Sequence, residues 1–168
     1  MSNIENETKL PQEDNAKKEK ADSLIKKHTY TSIGLGLIPI PFVDFIGVAG
    51  IQANMVRKLA NLYDVKFSQE AFKNSIGAIV GGAIPGVAGL PIASLMKTIP
   101  LVGQGLGVIS MPVVAGASTY AIGKVFYRHF STGGTFLTLD PDKVREYYKE
   151  QYKVGETVAS QMMDEKKK

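Results

Sequence analysis

Residues 74–123 read NSIGAIVGGAIPGVAGLPIASLMKTIPLVGQGLGVISMPVVAGASTYAIG, and this stretch decides which folds the chain can adopt. Its only formal charge is Lys97. As straight helices, the uncharged runs 74–96 and 98–123 would measure about 34 and 39 Å, against roughly 30 Å for the hydrocarbon core of a bilayer. Each run is therefore long enough to cross a membrane.

Prolines interrupt both runs, at Pro85, Pro91, Pro100 and Pro112, and TIPLVGQGLG at 98–107 is typical of a turn. We therefore predict a Gly/Pro-rich apolar helical hairpin with broken segments. In lipid, the backbone groups freed at each break need partners on neighbouring helices.

Small residues recur four apart in this stretch, on lines that let helix backbones approach closely in lipid. The lines contain Gly77, Gly81 and Gly89; Ala78, Gly82 and Gly86; Gly103 and Gly107; and Ala115, Thr119 and Gly123. They favour a membrane hairpin or an interface between copies of the chain. A tightly packed soluble core is the alternative.

Upstream, Pro39 and Pro41 break the chain within GLGLIPIP, at 34–41. The residues after Pro41 are apolar nearly all round a helix until Arg57, which indicates a helix that is buried or in lipid.

Polar residues on this helix have two interpretations. Asp44 is an isolated carboxylate, which in a membrane marks a proton or cation site. In the first helical turn it has a structural role at the positive end of the dipole, and we favour that role. Gln52 and Asn54 are predicted to hydrogen-bond between helices.

The two ends of the chain are polar. We predict a disordered tail over 1–20 and a membrane-associated helical domain over 21–134 that begins with a basic amphipathic helix. A C-terminal amphipathic helix and charged tail over 135–168 starts with Asp140 as N-cap and Pro141 in the first turn. Likewise, Ser68 is predicted to cap the helix before the apolar stretch, with Phe67 packing on Phe72.

Composition excludes several classes. The 168 residues carry a net charge of +4 and no cysteine, so disulfides and thiolate chemistry are absent. Basic and aromatic residues do not alternate as in a nucleic-acid-binding domain, and no P-loop or serine nucleophile motif is present. His28 and His129 form no recognisable ligand set. We predict no enzyme activity, no cofactor and no metal.

Charges around the apolar stretch follow the positive-inside pattern. Cations flank it at Arg57, Lys58, Lys66 and Lys73 on one side and at Lys124 and Arg128 on the other. This places both ends of the chain in the cytoplasm and the hairpin in the inner membrane.

An ordered set of residues resembles the opening of a bacterial family, domain of unknown function 697. The set comprises GLIPIP at 36–41, Asp44, Gln52, Met55, Leu59-Ala60 and Tyr63, followed later by KTIPLVG at 97–103, Ala115-Gly116-Ala117, TYAIG at 119–123, Phe126 and Phe130. The resemblance covers about residues 20–134. It implies a helical, membrane-associated domain that often stands fused to or beside an Era-like GTPase, and it carries no catalytic residues.

Together these features predict an all-α, membrane-associated helical bundle with amphipathic helices at both ends. The favoured function is a non-enzymatic module that docks or couples a separate GTPase to the lipid bilayer. A soluble helical interaction domain is the alternative. Less favoured is a small pore-forming homo-oligomer built on the glycine lines.

Overall fold

The computed structural model describes residues 2–38, 43–83 and 111–166, and these ranges contain five helices and no strand. The helices are α1 (Ser2–Leu35), α2 (Val43–Leu62), α3 (Gln69–Ala83), α4 (Met111–Ser131) and α5 (Pro141–Lys166). The predicted all-α class is confirmed. The break at Pro39 and Pro41 and the predicted hairpin turn around 98–107 lie outside the described residues.

α4 is the central helix of the bundle. It packs against α1, α2 and α5, while α3 packs on α5. Its apolar side chains are buried, with Phe126 inside a cluster of rings that includes Phe72, Phe130 and Phe136. The closest approaches occur at small residues, since Gly123 lies against Ile25 and Gly116 against Ile33. These two contacts make α1 and α4 antiparallel.

Local signals in the sequence fix where helices begin. The Ser68 hydroxyl accepts the Ala71 amide at 3.2 Å, and the Phe67 and Phe72 rings lie 6.1 Å apart, so the predicted start of α3 is confirmed. Asp140 caps α5 as predicted, with Oδ1 accepting the Asp142 amide at 3.1 Å.

α2 ends in a Schellman turn. The amide of Val65 donates to the carbonyl of Ala60 at 2.8 Å, and that of Asp64 to Asn61 at 3.4 Å. Asp64 has φ 56°, in the left-handed position that glycine usually occupies. Aspartate is one of the few other residues that tolerate this conformation.

In the structure α1 begins at Ser2. The sequence predicts a disordered tail over 1–20, and that remains a prediction. Helix propagation accounts for the helix. Once residues 21–33 pack on the bundle, each further residue back to Gln12 adds one backbone hydrogen bond, and the preceding Lys, Glu and Ala residues are good helix formers. Pro11 has no amide hydrogen and therefore costs α1 one of these bonds.

No helix in the described parts of the chain is both long and apolar enough to cross a membrane. The spans predicted over 74–96 and 98–123 are therefore not supported where they can be checked. Their described parts are 74–83 in α3 and 111–123 in α4, both of which pack into the bundle. Residues 84–110 lie outside the described ranges.

Candidate functional site

Three helix termini meet at one end of the bundle. Gly36, after α1, lies against the backbone of Pro112 at the start of α4, and Gly47 near the start of α2 lies against Leu35. Large apolar side chains are exposed here: Ile46 by 78%, Leu37 by 55%, Ile38 by 42% and Met111 by 40%. We call these four residues the apolar end. Clustered exposed apolar groups of this kind mark contact with a partner or a membrane.

Long segments of the three helices next to the apolar end contain no charged residue. No Asp, Glu, Lys or Arg occurs between Lys27 and Pro39 in α1, between Asp44 and Arg57 in α2, or between Met111 and Lys124 in α4. α5 differs, because Glu156, Asp164 and Glu165 lie in its C-terminal half, which runs toward the same end. The charges at this end of the bundle are therefore those of Asp44, in the first turn of α2, and of the C-terminal half of α5.

A buried polar layer lies below the apolar end and joins α1, α2 and α4. The Gln52 amide donates to Ser118 Oγ at 3.3 Å and to Thr119 Oγ1 at 3.2 Å. The Thr119 hydroxyl donates in turn to Ser32 Oγ at 2.8 Å. Because each of these polar atoms is paired, the layer fixes the register of three otherwise apolar helix faces.

His28 continues this layer toward the surface of the α1–α2 pair. Its Nδ1 donates to the Leu24 carbonyl at 2.7 Å, and Asn54 Nδ2 lies 3.5 Å from its Nε2. Burial lowers the pKa of His28, and the charges of Lys58 and Lys27 lower it further, against the opposing effect of the Leu24 hydrogen bond. The imidazole is therefore held neutral, with the proton on Nδ1.

A groove of about 350 Å³ opens between α1, α4 and α5. On its floor, Lys124 Nζ contacts Asp22 Oδ1 at 2.6 Å. Burial alone would lower the pKa of Lys124, but the carboxylate of Asp22 and the ring of Tyr120 outweigh burial and raise it. Within the described ranges, no three His, Asp or Glu side chains are grouped to hold a metal ion.

Among the residues that the structure describes, the sequence-predicted ones do not lie together in one site. Asp44 is in the first turn of α2, and Gln52 is in the polar layer. Tyr63 is half-buried just after α2, its ring 6.2 Å from that of Tyr127, and burial raises its pKa to about 12.

The described glycines that were predicted to line an interface do not all contact the same neighbour. Gly77, Gly81 and Gly82 lie on α3, where Gly82 faces the Arg145 guanidinium and Gly81 faces open space. Pro39, Pro41 and Gly86 lie outside the described residues.

Sequence reasoning missed the partners in the polar layer. Ser32, Ser118 and Thr119 are ordinary residues in their helices, and His28, considered only as a metal ligand, is buried beside this layer. Their one sequence signal is a polar side chain on an otherwise apolar helix face.

Comparisons with known proteins agree with the resemblance seen in the sequence. A family model described as "Domain of unknown function (DUF697)" matches residues 5–156. Magnetosome membrane protein 22 of Magnetospirillum gryphiswaldense is 38% identical over 143 residues, which cover 84% of this chain and 73% of that protein. No solved structure shows a significant match. The chain belongs to the family described as domain of unknown function (DUF697).

Proposed function

We propose that this chain is a non-enzymatic, membrane-associated module whose apolar end contacts the lipid bilayer. The observation that carries the proposal is the exposure of Ile46, Leu37, Ile38 and Met111 at one end of the bundle. Scattered exposed apolar residues are normal on soluble proteins, but four at one end beside uncharged helix segments are a contact surface.

Two further facts support a bilayer as the contact. The relative from Magnetospirillum is named a membrane protein, which is a statement about that protein. In addition, the sequence 84–110, whose only charge is Lys97, joins α4 at Met111, within the apolar end.

A fluorescent label tests the proposal directly. The chain has no cysteine, so Ile46→Cys and Leu137→Cys each create a unique labelling position. Both side chains are exposed, and Leu137 lies in the connection between α4 and α5, at the opposite end of the bundle. With a polarity-sensitive label and phosphatidylcholine vesicles, we expect a blue shift at position 46 and none at position 137.

Position 137 is the control for position 46. A shift of equal size at both positions would indicate non-specific adsorption, and no shift at position 46 would contradict bilayer contact. Circular dichroism of both variants checks that the helices are intact.

We also propose that the chain docks a separate GTPase to the membrane. The support is that domains resembling this one often stand fused to or beside an Era-like GTPase. The cations flanking the apolar stretch favour an orientation in which α1 and α5 face the cytoplasm, at the inner membrane. A pull-down from a detergent extract, read by mass spectrometry, is expected to recover a GTPase. Recovery of other proteins without any GTPase would count against docking while leaving membrane contact intact.

A further inference from the structure

Two exposed lysines lie near the contact between α1 and α2. Lys27 adjoins the buried His28 in α1, and Nε2 of His28 lies 3.5 Å from Nδ2 of Asn54. Asn54 is exposed on α2, and Lys58 follows it by one helical turn. Two ammonium groups and an amide are therefore presented together to solvent.

These two lysines have no acidic partner, whereas four other cations of the described bundle are held in ion pairs. Among the described residues, ion pairs join Lys124 to Asp22, Lys143 to Asp140, Arg145 to Asp142 and Lys149 to Glu146. None of these pairs includes Lys27 or Lys58. From Phe45 to Tyr63 the α2 segment has no acidic residue, and the nearest acid on α1, Asp22, is bound to Lys124. The α1–α2 face is thus an uncompensated patch of positive charge.

The patch is continuous with the apolar end along the same two helices. Lys58 is twelve positions from Ile46 within α2, about 18 Å along the helix axis. Lys27 is eight positions from Leu35 at the end of α1, about 12 Å, and Leu37 follows two residues later. The intervening exposed residues on α2, such as Ala49 and Gly50, are small and uncharged. Long lysine stems also allow the ammonium groups to reach toward an interface while the stem lies on protein.

The acids of α5 select the direction in which the bundle leans on a bilayer. Glu156, Asp164 and Glu165 are on α5, which packs on α3, α4 and α1, and Glu165 accepts a hydrogen bond from Tyr30 of α1 at 2.8 Å. α2, which carries Lys58, packs instead on α1 and α4. A bundle that leans on α2 and the adjoining side of α1 brings the two lysines, rather than the acids of α5, to the lipid surface. An anionic surface favours this orientation over the reverse.

We infer that the α1–α2 face binds the phosphate groups of anionic phospholipids through Lys27 and Lys58, with Asn54 between them, while Leu37, Ile38 and Ile46 enter the adjoining acyl boundary. This inference rests on the proposed membrane contact and adds its lipid class. A phosphate accepts hydrogen bonds from both ammonium groups and from the amide nitrogen of Asn54. The same contacts would set the tilt of the bundle.

Vesicle titrations with charge-matched variants test this inference. The test variant is Lys27→Gln/Lys58→Gln, and the control is Lys73→Gln/Lys153→Gln, which removes two exposed, unpaired lysines from α3 and α5. Binding is read from the label at position 46, with phosphatidylcholine vesicles that contain or lack phosphatidylglycerol. Each lysine near an anionic surface strengthens binding roughly fivefold, so the test variant is expected to bind the anionic vesicles about thirtyfold more weakly.

Comparing the variants on the two kinds of vesicle distinguishes the possible outcomes. The test variant and the parent are expected to bind neutral vesicles equally, and the control is expected to follow the parent on both. If the test and control variants lose the same amount of binding affinity, attraction by net charge alone is shown and the inference is overturned. The inference is also overturned if the parent protein binds equally well to vesicles with and without phosphatidylglycerol. Inorganic phosphate that displaces the protein beyond chloride of equal ionic strength would indicate a free-phosphate site instead. No shift with either vesicle would overturn the proposed membrane contact itself.

Discussion

Thr29 of α1 and Thr119 of α4 are both fully buried, but their hydroxyls differ in whether they have hydrogen-bond partners. We expect their contributions to stability to differ accordingly. Thr119 donates to Ser32 and accepts from Gln52, whereas the hydroxyl of Thr29 has no partner among the described residues. Valine has nearly the same shape. Thr29→Val is expected to raise the free energy of unfolding by about 1 kcal/mol, and Thr119→Val to lower it by roughly 1–3 kcal/mol, because it leaves Gln52 and Ser32 with unmade bonds.

Urea denaturation of both variants measures the two changes side by side. Both variants replace a fully buried threonine with valine, so the change in size and in helix propensity is the same for both. Changes of opposite sign in the free energy of unfolding must therefore come from the hydrogen bonds. Equal destabilisation by both would contradict the assigned hydrogen bonds.

His28 makes stability depend on pH near neutrality. Its pKa is lowered in the folded protein, so the unfolded chain binds the proton more tightly, and stability falls as pH drops through the unfolded value of about 6.5. Protonation puts an N–H on Nε2 facing the Asn54 amide and adds a third positive charge beside Lys27 and Lys58. We expect the free energy of unfolding to be lower at about pH 5.5 than at about pH 7.5.

His28→Gln removes this titration and is expected to flatten the curve over the same range. The acids with lowered pKa values, Asp140 and Glu146, lose their contributions only at lower pH, below the ordinary carboxyl range. A parent protein whose stability is the same at both pH values would contradict the burial of a neutral imidazole.

At the scale of the helix, close packing of α4 and α5 depends on Gly155. A Cβ at this position would stand 2.8 Å from the Ala117 carbonyl oxygen and 2.9 Å from its Cα, both backbone atoms that cannot rotate away. Gly155→Ala is therefore expected to force the helices apart and to destabilise the fold by about 1–3 kcal/mol.

Gly50 of α2 is the matched control, since a Cβ there would meet nothing within 4 Å. Gly50→Ala is expected to stabilise the fold by about 0.5–1 kcal/mol, because alanine favours the helix over glycine. Thermal unfolding followed by circular dichroism gives both shifts. A melting temperature that rises for both variants would show that α4 and α5 are not in close contact at Gly155.

Local signals in the sequence predict helix boundaries well, and long-range packing poorly. The cap at Ser68, the Phe67–Phe72 contact and the cap at Asp140 each involve residues within five positions, so the sequence is sufficient to predict them. Gln52 illustrates the opposite case. Its need for a partner on another helix was predictable, but Thr119 is 67 residues away, and only the assembled bundle brings the two together.

The C-terminal helix shows the same limit on the scale of an element. Its charged residues predict an amphipathic helix, in a C-terminal segment that the sequence separates from residues 21–134. In the structure α5 packs along α4, and it buries Tyr148, Ala159 and Met162. The apolar face is narrow, but it meets Gly116 and other small α4 residues that let the helices approach closely. Spacing on one helix does not reveal the shape of the surface it packs on.

On the scale of the whole molecule, burial among the described residues is concentrated on α4 and is low over residues 13–20 of α1. α4 is surrounded by α1, α2 and α5 and contains fully buried Ala117, Ala121 and Phe126. Residues 13–16 and 18–20 of α1, by contrast, are exposed on every side. A helix segment that buries almost no apolar surface has only its own backbone hydrogen bonds and propensity to hold it.

This gradient predicts how the bundle opens. We expect amides of α4 to exchange hydrogen only on global unfolding, and amides of residues 13–19 to exchange through fraying of α1 with a free energy well below that of global unfolding. Hydrogen exchange read by mass spectrometry on peptides from α1 and α4 resolves the two classes. Residues 25–33 of α1, which pack on Gly116 and Gly123, are the internal control and should exchange with α4. Uniform protection along α1 would contradict the gradient and would mean that its first half is held by contacts outside the bundle.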